Sequence, residues 1–170
     1  MALIKTIRGF TPQFGKDCFF AENATLIGHL IVGDQCSFWF QSIVRGDVNS
    51  IHIGNKVNVQ DGAIIHCTHE KAATTIGNHV SIGHRAVVHG CTIRDNVLVG
   101  MGAVVMDNAV VESNCLIAAG AVVLERAHLK SGWIYAGVPA QPIKKLSSEQ
   151  LKNAVERTAN AYVTYSRWYI

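Results

Sequence analysis

The sequence predicts an all-β solenoid, a parallel β-helix followed by a C-terminal α-helix, and three observations carry that expectation. An apolar residue recurs every sixth position through Phe14, Phe20, Leu26, Val32, Phe38 and Val44, then Ile53, Val59 and Ile65, then Ile76, Ile82 and Val88, then Ile93, Val99, Val105, Val111, Ile117 and Val123. The position four further on is small or aliphatic at Cys18, Ala24, Cys36, Ser42, Ala63, Ala86, Ala103, Ala109, Cys115, Ala121 and Ala127, which suits a tight corner. Glycine directly follows the apolar residue at Gly15, Gly33, Gly54, Gly77, Gly83 and Gly100, where the backbone must bend.

A period of six fits neither an amphipathic helix nor a long two-sided strand. It fits a short strand and a corner, and three such faces close a triangular coil of about eighteen residues whose apolar side chains share one axis. The registered positions give roughly six coils, stacked at the strand spacing of about 4.8 Å. The pattern resembles the left-handed hexapeptide-repeat β-helix. That resemblance alone supplies the hand, because parallel crossovers otherwise prefer the right-handed form.

Taken in order, the residues before Phe14 are expected to cap the open end of the coil, since a bare β-helix edge pairs with other chains. The repeat occupies residues 14–128, with three interruptions: the register steps by nine from Val44 to Ile53, by eleven from Ile65 to Ile76 and by five from Val88 to Ile93. The surplus residues, Gly46 to His52 and Cys67 to Thr75, are expected to project as loops, the usual place for function on a solenoid. Gly132 to Ile143 reads as a crossover segment, because its glycines and prolines suit neither strand nor helix. Ser147 and Gln150 form a capping box for a helix over 147–168, with Leu151, Val155, Tyr162 and Val163 at near-helical spacing. The whole chain, 1–170, is read as a single domain.

Composition narrows the function classes. A hydrophobic content of 49% is ample for a core, and the net charge of +3 is thinly spread, with Lys144 and Lys145 the one basic pair, so nucleic acid is not expected as a partner. No uncharged stretch is long enough to span a bilayer, and MALIKTIRGF lacks a signal-peptide core, so the expected location is cytoplasmic without a membrane partner. Five cysteines without a CxxC pair are expected to be reduced. Cys67, beside a histidine at a loop mouth, is the one with a possible role near a site.

The register turns the histidines into geometry. His66 follows Ile65 and His89 follows Val88, so both take the outward position on one face and stack. His84 belongs to the preceding face of its coil and points away, with Gln60 one coil below it, while Arg45 lies below His66. Two stacked imidazoles can share a metal that the third cannot reach within one chain. A homotrimer solves this, because the edge of one prism meets the neighbouring face of the next. Three imidazoles with an open fourth position suit catalytic zinc, and Fe2+ or Co2+ would accept the same ligands. His29, His52, His79 and His128 read as solvated side chains.

RGDV at Arg45–Val48, NVQDGAIIH at Asn58–His66, GHRAVVHG at Gly83–Gly90 and the later YAGVPA resemble the gamma-class carbonic anhydrases, most closely the short-loop bacterial subclass. The resemblance covers nearly the whole chain. It implies trimers with a metal at each subunit interface, ligated by His66, His84 and His89. Gln60 then positions water or substrate, and Arg45 with Asp47 makes an ion pair across the interface. Asp61 is expected to orient Gln60 or to stabilise its loop. The implied reaction is hydration of CO2 to bicarbonate by metal-bound hydroxide, zinc lowering the pKa of water to about 7, a figure that comes from carbonic anhydrase itself. The chain departs from the most active members of that class, with Val48 and the short loop CTHEKAATT where acidic proton shuttles are usual. His69, Glu70 and Tyr162 are the substitutes available, and slow hydration is expected. The alternatives are a hexapeptide-repeat acyltransferase, metal-assisted thioester hydrolysis at the same site, and a metal-binding scaffold without turnover.

Overall fold

A computed structural model describes residues 1–169. The chain winds into a left-handed parallel β-helix of about seven turns, with one helical segment at its C-terminal end. One face carries seven parallel strands in the order Trp133–Ala136, Cys115–Ile117, Val97–Val99, Ser81–Ile82, Asn58–Val59, Ser37–Phe38 and Phe19–Phe20, each one coil from the next. The other two faces form one continuous sheet, because Thr25–Val32 and Ile43–Ile53 run unbroken round the corner between them. Leu26, Val44, Ile65, Val88, Val105 and Val123 line the axis from one face and are essentially inaccessible. Full burial of such side chains contributes about 1.5–3 kcal/mol each, which is what holds a narrow prism together.

The corners explain the small and glycine positions. At Gly54 a Cβ would stand 2.8 Å from the carbonyl carbon and oxygen of Gly77 in the next coil, so glycine is required there by close approach and not by an unusual backbone angle. The positive φ falls two residues later, in a column of mostly non-glycine residues: Asp17, Gln35, Lys56, His79, Asn96 and Asn114. Beside that column runs a ladder in which each Asx side chain accepts the backbone N–H one coil below: Asp34 from Lys16, Asn55 from Asp34, Asn78 from Asn55 and Asp95 from Asn78, at 2.7 to 2.9 Å. These bonds satisfy corner amides that the strand ladders do not reach.

Two expectations need correction. Gly46 to His52 is not a projecting loop. Ile43–Ile53 stays extended, and Gly28 pairs with Gly46 while Leu30 pairs with Ile51, so the surplus residues are absorbed as a bulge in the strand. The second correction concerns Gly132 to Ile143: Trp133–Ala136 adds a seventh strand to its face, and Gln141–Lys145 folds back on it antiparallel. Ile134 and Tyr135 are buried over the last coil, and burial there outweighs the glycines and prolines, which sit in the turn and on the edge strand. The surplus after His66 does leave the coil, as a tight turn bridged between Thr68 and Ala72.

At the start of the chain Leu3–Lys5 pairs in parallel with Thr25–Ile27 and Ala2 packs on the core. At the other end Ser147 accepts from the Gln150 N–H and donates its own N–H to the Gln150 side chain, each at 3.1 Å, as the capping box requires. The helical segment runs from Ser148 to Tyr169, with a π turn over Leu151–Glu156. It returns along the outside of the coil, from the Val97–Val99 strand to the Ser37–Phe38 strand. There Tyr162 docks against a small second core of Phe19, Ala21 and Trp39. Among the described residues no helix is long and apolar enough to cross a membrane.

Candidate metal centre

Ile64–His66 pairs in register with Val87–His89, so His66 lies opposite His89 on adjacent coils. Strand alternation sends both rings outward, since Ile65 and Val88 point to the axis. The ring centroids are 5.0 Å apart, and His66 Nδ1 stands 3.0 Å from His89 Nε2. Each ring has a carboxylate on its other nitrogen: Asp47 Oδ1 lies 3.1 Å from His66 Nε2, and Asp107 Oδ1 lies 2.5 Å from His89 Nδ1. Asp47 also accepts from the Arg45 guanidinium, and Asp107 accepts from the Thr68 hydroxyl at 2.5 Å.

Burial works against ionisation of Asp47, but the Arg45 and His66 hydrogen bonds outweigh it and hold the carboxyl below its usual range. The same balance holds for Asp107, where Thr68 and His89 are the partners. For His66, burial dominates and pushes the pKa down, helped by the charges of Arg45 and His89 and opposed by Asp47. A neutral imidazole is the form a metal needs.

His84 stands on the neighbouring face at the end of a buried polar chain. Its backbone N–H donates to Gln60 Oε1 at 3.2 Å, Gln60 Nε2 donates to Asn58 Oδ1 at 2.9 Å, and Asn58 Nδ2 donates to Ser81 Oγ at 2.8 Å. Gln60 is therefore fixed, with its side chain almost wholly buried. His84 Nδ1 lies 2.8 Å from Asp61 Oδ2, which leaves Nε2 facing the Tyr162 hydroxyl at 3.5 Å. Burial pushes the Tyr162 phenol up to about 12, with the Asp61 charge and Tyr165 adding, so it stays protonated at neutral pH and donates.

The anticipated residues thus fall into two clusters, Arg45, Asp47, His66 and His89 on one face and Gln60, His84 and Tyr162 on another. Among the described residues no three His, Cys, Asp or Glu side chains of one chain converge as a metal cage. Arg45 and Asp47, expected to pair across an interface, pair here within one strand. Asp61 contacts His84, not Gln60. Cys67 is buried, its thiol pushed up to about 11 by that burial, and donates to the Asn49 carbonyl at 3.4 Å, which leaves it inert. Sequence reasoning missed Asp107 and Asn58. Asp107 was within reach of the register, because it lies 18 residues, one coil, beyond His89.

The donor set fits a divalent ion. Each histidine has one ring nitrogen held by a carboxylate, the arrangement that orients metal-bound imidazoles and raises their basicity. Two imidazole nitrogens on one tetrahedral zinc at 2.0–2.1 Å stand about 3.3 Å apart, close to the separation of the His66 and His89 nitrogens. Two apolar-walled cavities adjoin the clusters. One of about 390 Å³ is lined by Gln60, His84, Leu98, Met101, Leu116 and Tyr162 among others, and one of about 350 Å³ by His89, Asp107, Glu125, Val87, Val104 and Met106.

Residues 90–125 match the family model for the bacterial transferase hexapeptide (six repeats), and residues 73–106 match the hexapeptide repeat of succinyl-transferase. The chain is 45% identical over 154 residues to a probable carbonic anhydrase of Methanocaldococcus jannaschii, covering 91% of this chain and 96% of that one. It is 37% identical over 167 residues to a carbonic anhydrase of Geobacillus kaustophilus, covering 98% and 91%. Mitochondrial gamma carbonic anhydrase 2 of Arabidopsis thaliana is 36% identical over 162 residues, covering 92% of this chain and 58% of that one. Among solved structures, a hexapeptide transferase family protein of Anaplasma phagocytophilum superposes with TM-score 0.94 at 34% identity, covering 99% and 98% of the two chains. A putative acetyltransferase of Bacillus cereus superposes with TM-score 0.93 at 31% identity, covering 99% and 96%. The chain belongs to the gamma-class carbonic anhydrase-like family of hexapeptide-repeat proteins.

Proposed function

We propose that the chain is a metal-dependent carbonic anhydrase, most simply a zinc enzyme, that works as a homotrimer with one site at each subunit interface. The observation that carries this reading is the His66–His89 pair, whose facing nitrogens are 3.0 Å apart, together with a third carboxylate-held histidine, His84, on the neighbouring face, where a second chain would bring it to the pair. His66 and His89 of one chain and His84 of the next would hold the ion. Bound there with an open position, zinc supplies the Lewis acidity that brings the pKa of water to about 7, as is established for carbonic anhydrase itself.

The chain's own residues do the rest. Asp47 and Asp107 hold the two stacked rings in one tautomer, and Asp61 holds His84. Gln60, pinned by Asn58, presents a rigid amide beside His84 that orients CO2 or bicarbonate without exchanging a proton. Tyr162 is a donor in the same place. Proton removal needs an acceptor of lower pKa than Tyr162. Glu125 shares the His89 cavity, and His69 and Glu70 face solvent on the loop after the first ligand. The test is CO2 hydration followed by stopped flow on the zinc-loaded protein, against His89→Ala and Gln60→Ala. Hydration lost in the first and reduced by about tenfold to a hundredfold in the second is expected. Equal hydration by all three proteins contradicts the reading.

A second reading, metal-assisted thioester hydrolysis, is favoured by one feature, the 390 Å³ cavity beside His84, whose Leu98, Met101 and Leu116 walls suit an acyl chain better than CO2. Acyl-CoA hydrolysis without CO2 hydration, lost in His89→Ala, would decide for it.

A further inference from the structure

We infer that the end of the C-terminal helix and the first coils form a binding site for an alkylated ammonium cation, a trimethylammonium group or its close kin. The site borders the candidate metal centre, because Asp61 also holds His84 and the Tyr162 hydroxyl faces His84, and the cation is expected to bind with no metal present.

A cavity of about 220 Å³ opens between the two elements, walled by Trp39 and Phe40 from the coil, by Tyr162, Tyr165, Trp168 and Tyr169 from the helix, and by the carboxylate of Asp61. Three of the chain's four tyrosines and two of its three tryptophans meet there, far more than an aromatic content of 8% would bring to one place. Most of the rings meet at steep angles, while Tyr165 and Trp168 pack more nearly face to face, 38° and 4.8 Å apart. Trp39 meets Tyr162 at 83° and Tyr169 at 86°, with centroids 5.2 and 5.5 Å apart, and Phe40 meets Tyr169 at 61° and 5.9 Å. Tyr165 turns 63° from Tyr162 at 5.5 Å.

Core packing explains Trp39, which is buried and whose indole N–H donates to Ser37 at 2.9 Å. It accounts also for Tyr169, which packs on Phe19, Trp39 and Phe40, but not for Trp168 and Tyr165, which keep 71% and 38% of their surface in solvent. The edge-to-face pairs cover one another, but the exposed sides of Trp168, Tyr169 and Tyr165 leave aromatic surface along the cavity, and aromatic faces attract cations. The charge agrees in sign, since Asp61 is the one ionisable carboxylate of the wall and no lysine or arginine lines it among the described residues. One Asp61 oxygen is held by His84. The acceptors of the wall are the other Asp61 oxygen and the hydroxyls of Tyr162, Tyr165 and Tyr169, and the rest of it is ring surface, which can meet an alkylated ammonium but cannot pair the N–H groups of a primary ammonium or guanidinium. An alkylated ammonium has none to satisfy and loses little on leaving water.

The test is calorimetric titration of the full chain with tetramethylammonium and with choline, beside 3,3-dimethyl-1-butanol, the uncharged isostere of choline. Saturable binding of both cations is expected, with the isostere at least about tenfold weaker, and with Trp168→Ala and Tyr165→Ala each weakening the cations by about tenfold. Both side chains lie at the solvent edge, and unchanged thermal unfolding of the two variants will show that the fold survives. Equal binding of the isostere, no saturable binding of tetramethylammonium, or unaltered cation binding in both variants would each overturn the site.

Discussion

His66 Nδ1 and His89 Nε2 face each other at 3.0 Å from adjacent coils, and each ring is fixed from behind by its own carboxylate. The relationship follows directly from parallel in-register pairing. Residues at equivalent positions of successive coils must stack, so two identical side chains are delivered to one point at strand spacing.

The carboxylates behind the rings are expected to control metal affinity without controlling the fold. Asp107→Asn keeps the shape and the Thr68 contact but removes the charge behind His89. Zinc affinity, measured by competition with a chromophoric chelator, should fall by about tenfold to a hundredfold, and Asp61→Asn should do the same through His84. Unchanged affinity in both would remove the carboxylates from the site.

Adjacent corner positions should respond with opposite signs. In Gly54→Ala the new Cβ meets the Gly77 backbone at 2.8 Å, and a loss of about 1–3 kcal/mol is expected in urea unfolding. Two residues on, Lys56 has φ +53, so Lys56→Gly relieves a left-handed backbone and should gain roughly 0.5–1 kcal/mol after the entropy of the added glycine is counted. Two changes of the same sign would refute this account of the corners.

Stability of the metal-free chain should depend on pH through His66. Burial lowers its folded pKa below the unfolded value of about 6.5, so the unfolded chain takes the proton first. The contribution of neutral His66 is fully present above about pH 6.5 and is lost as pH falls from there through the folded pKa. Asp47 and Asp107 act in a lower window, because their folded pKa values are depressed, and their contribution is lost as pH falls below about 3.9. Urea unfolding between pH 5 and 7 should show stability rising with pH, and His66→Asn should flatten that rise. A flat wild-type profile would contradict it.

The repeat makes the axis legible in the sequence alone, because every registered apolar position has one physical job. The same register placed His66 over His89 and turned His84 to the next face. Asp107 was hidden because one acid among twelve carries no mark of its own, although it stands one coil beyond His89. The sequence pattern marks the glycines as bends, whereas Gly54 answers a close approach and the left-handed angle belongs to residues such as Lys56, a distinction that depends on the neighbouring coil. Trp133–Ala136 was masked by its glycines and prolines, and its strand state comes from covering the last coil, a tertiary effect that no local pattern records.

The most direct test of the central claim is complementation between two metal-blind chains. His84→Ala keeps the His66–His89 pair and His89→Ala keeps His84, so each variant alone should bind no zinc tightly. Mixed trimers made by co-expression should recover tight sites, because the pair of one chain meets His84 of its neighbour, with metal content read by mass spectrometry. Recovery is predicted. Zinc retained by either variant alone, or none recovered in stable mixed trimers, would contradict a centre shared between subunits.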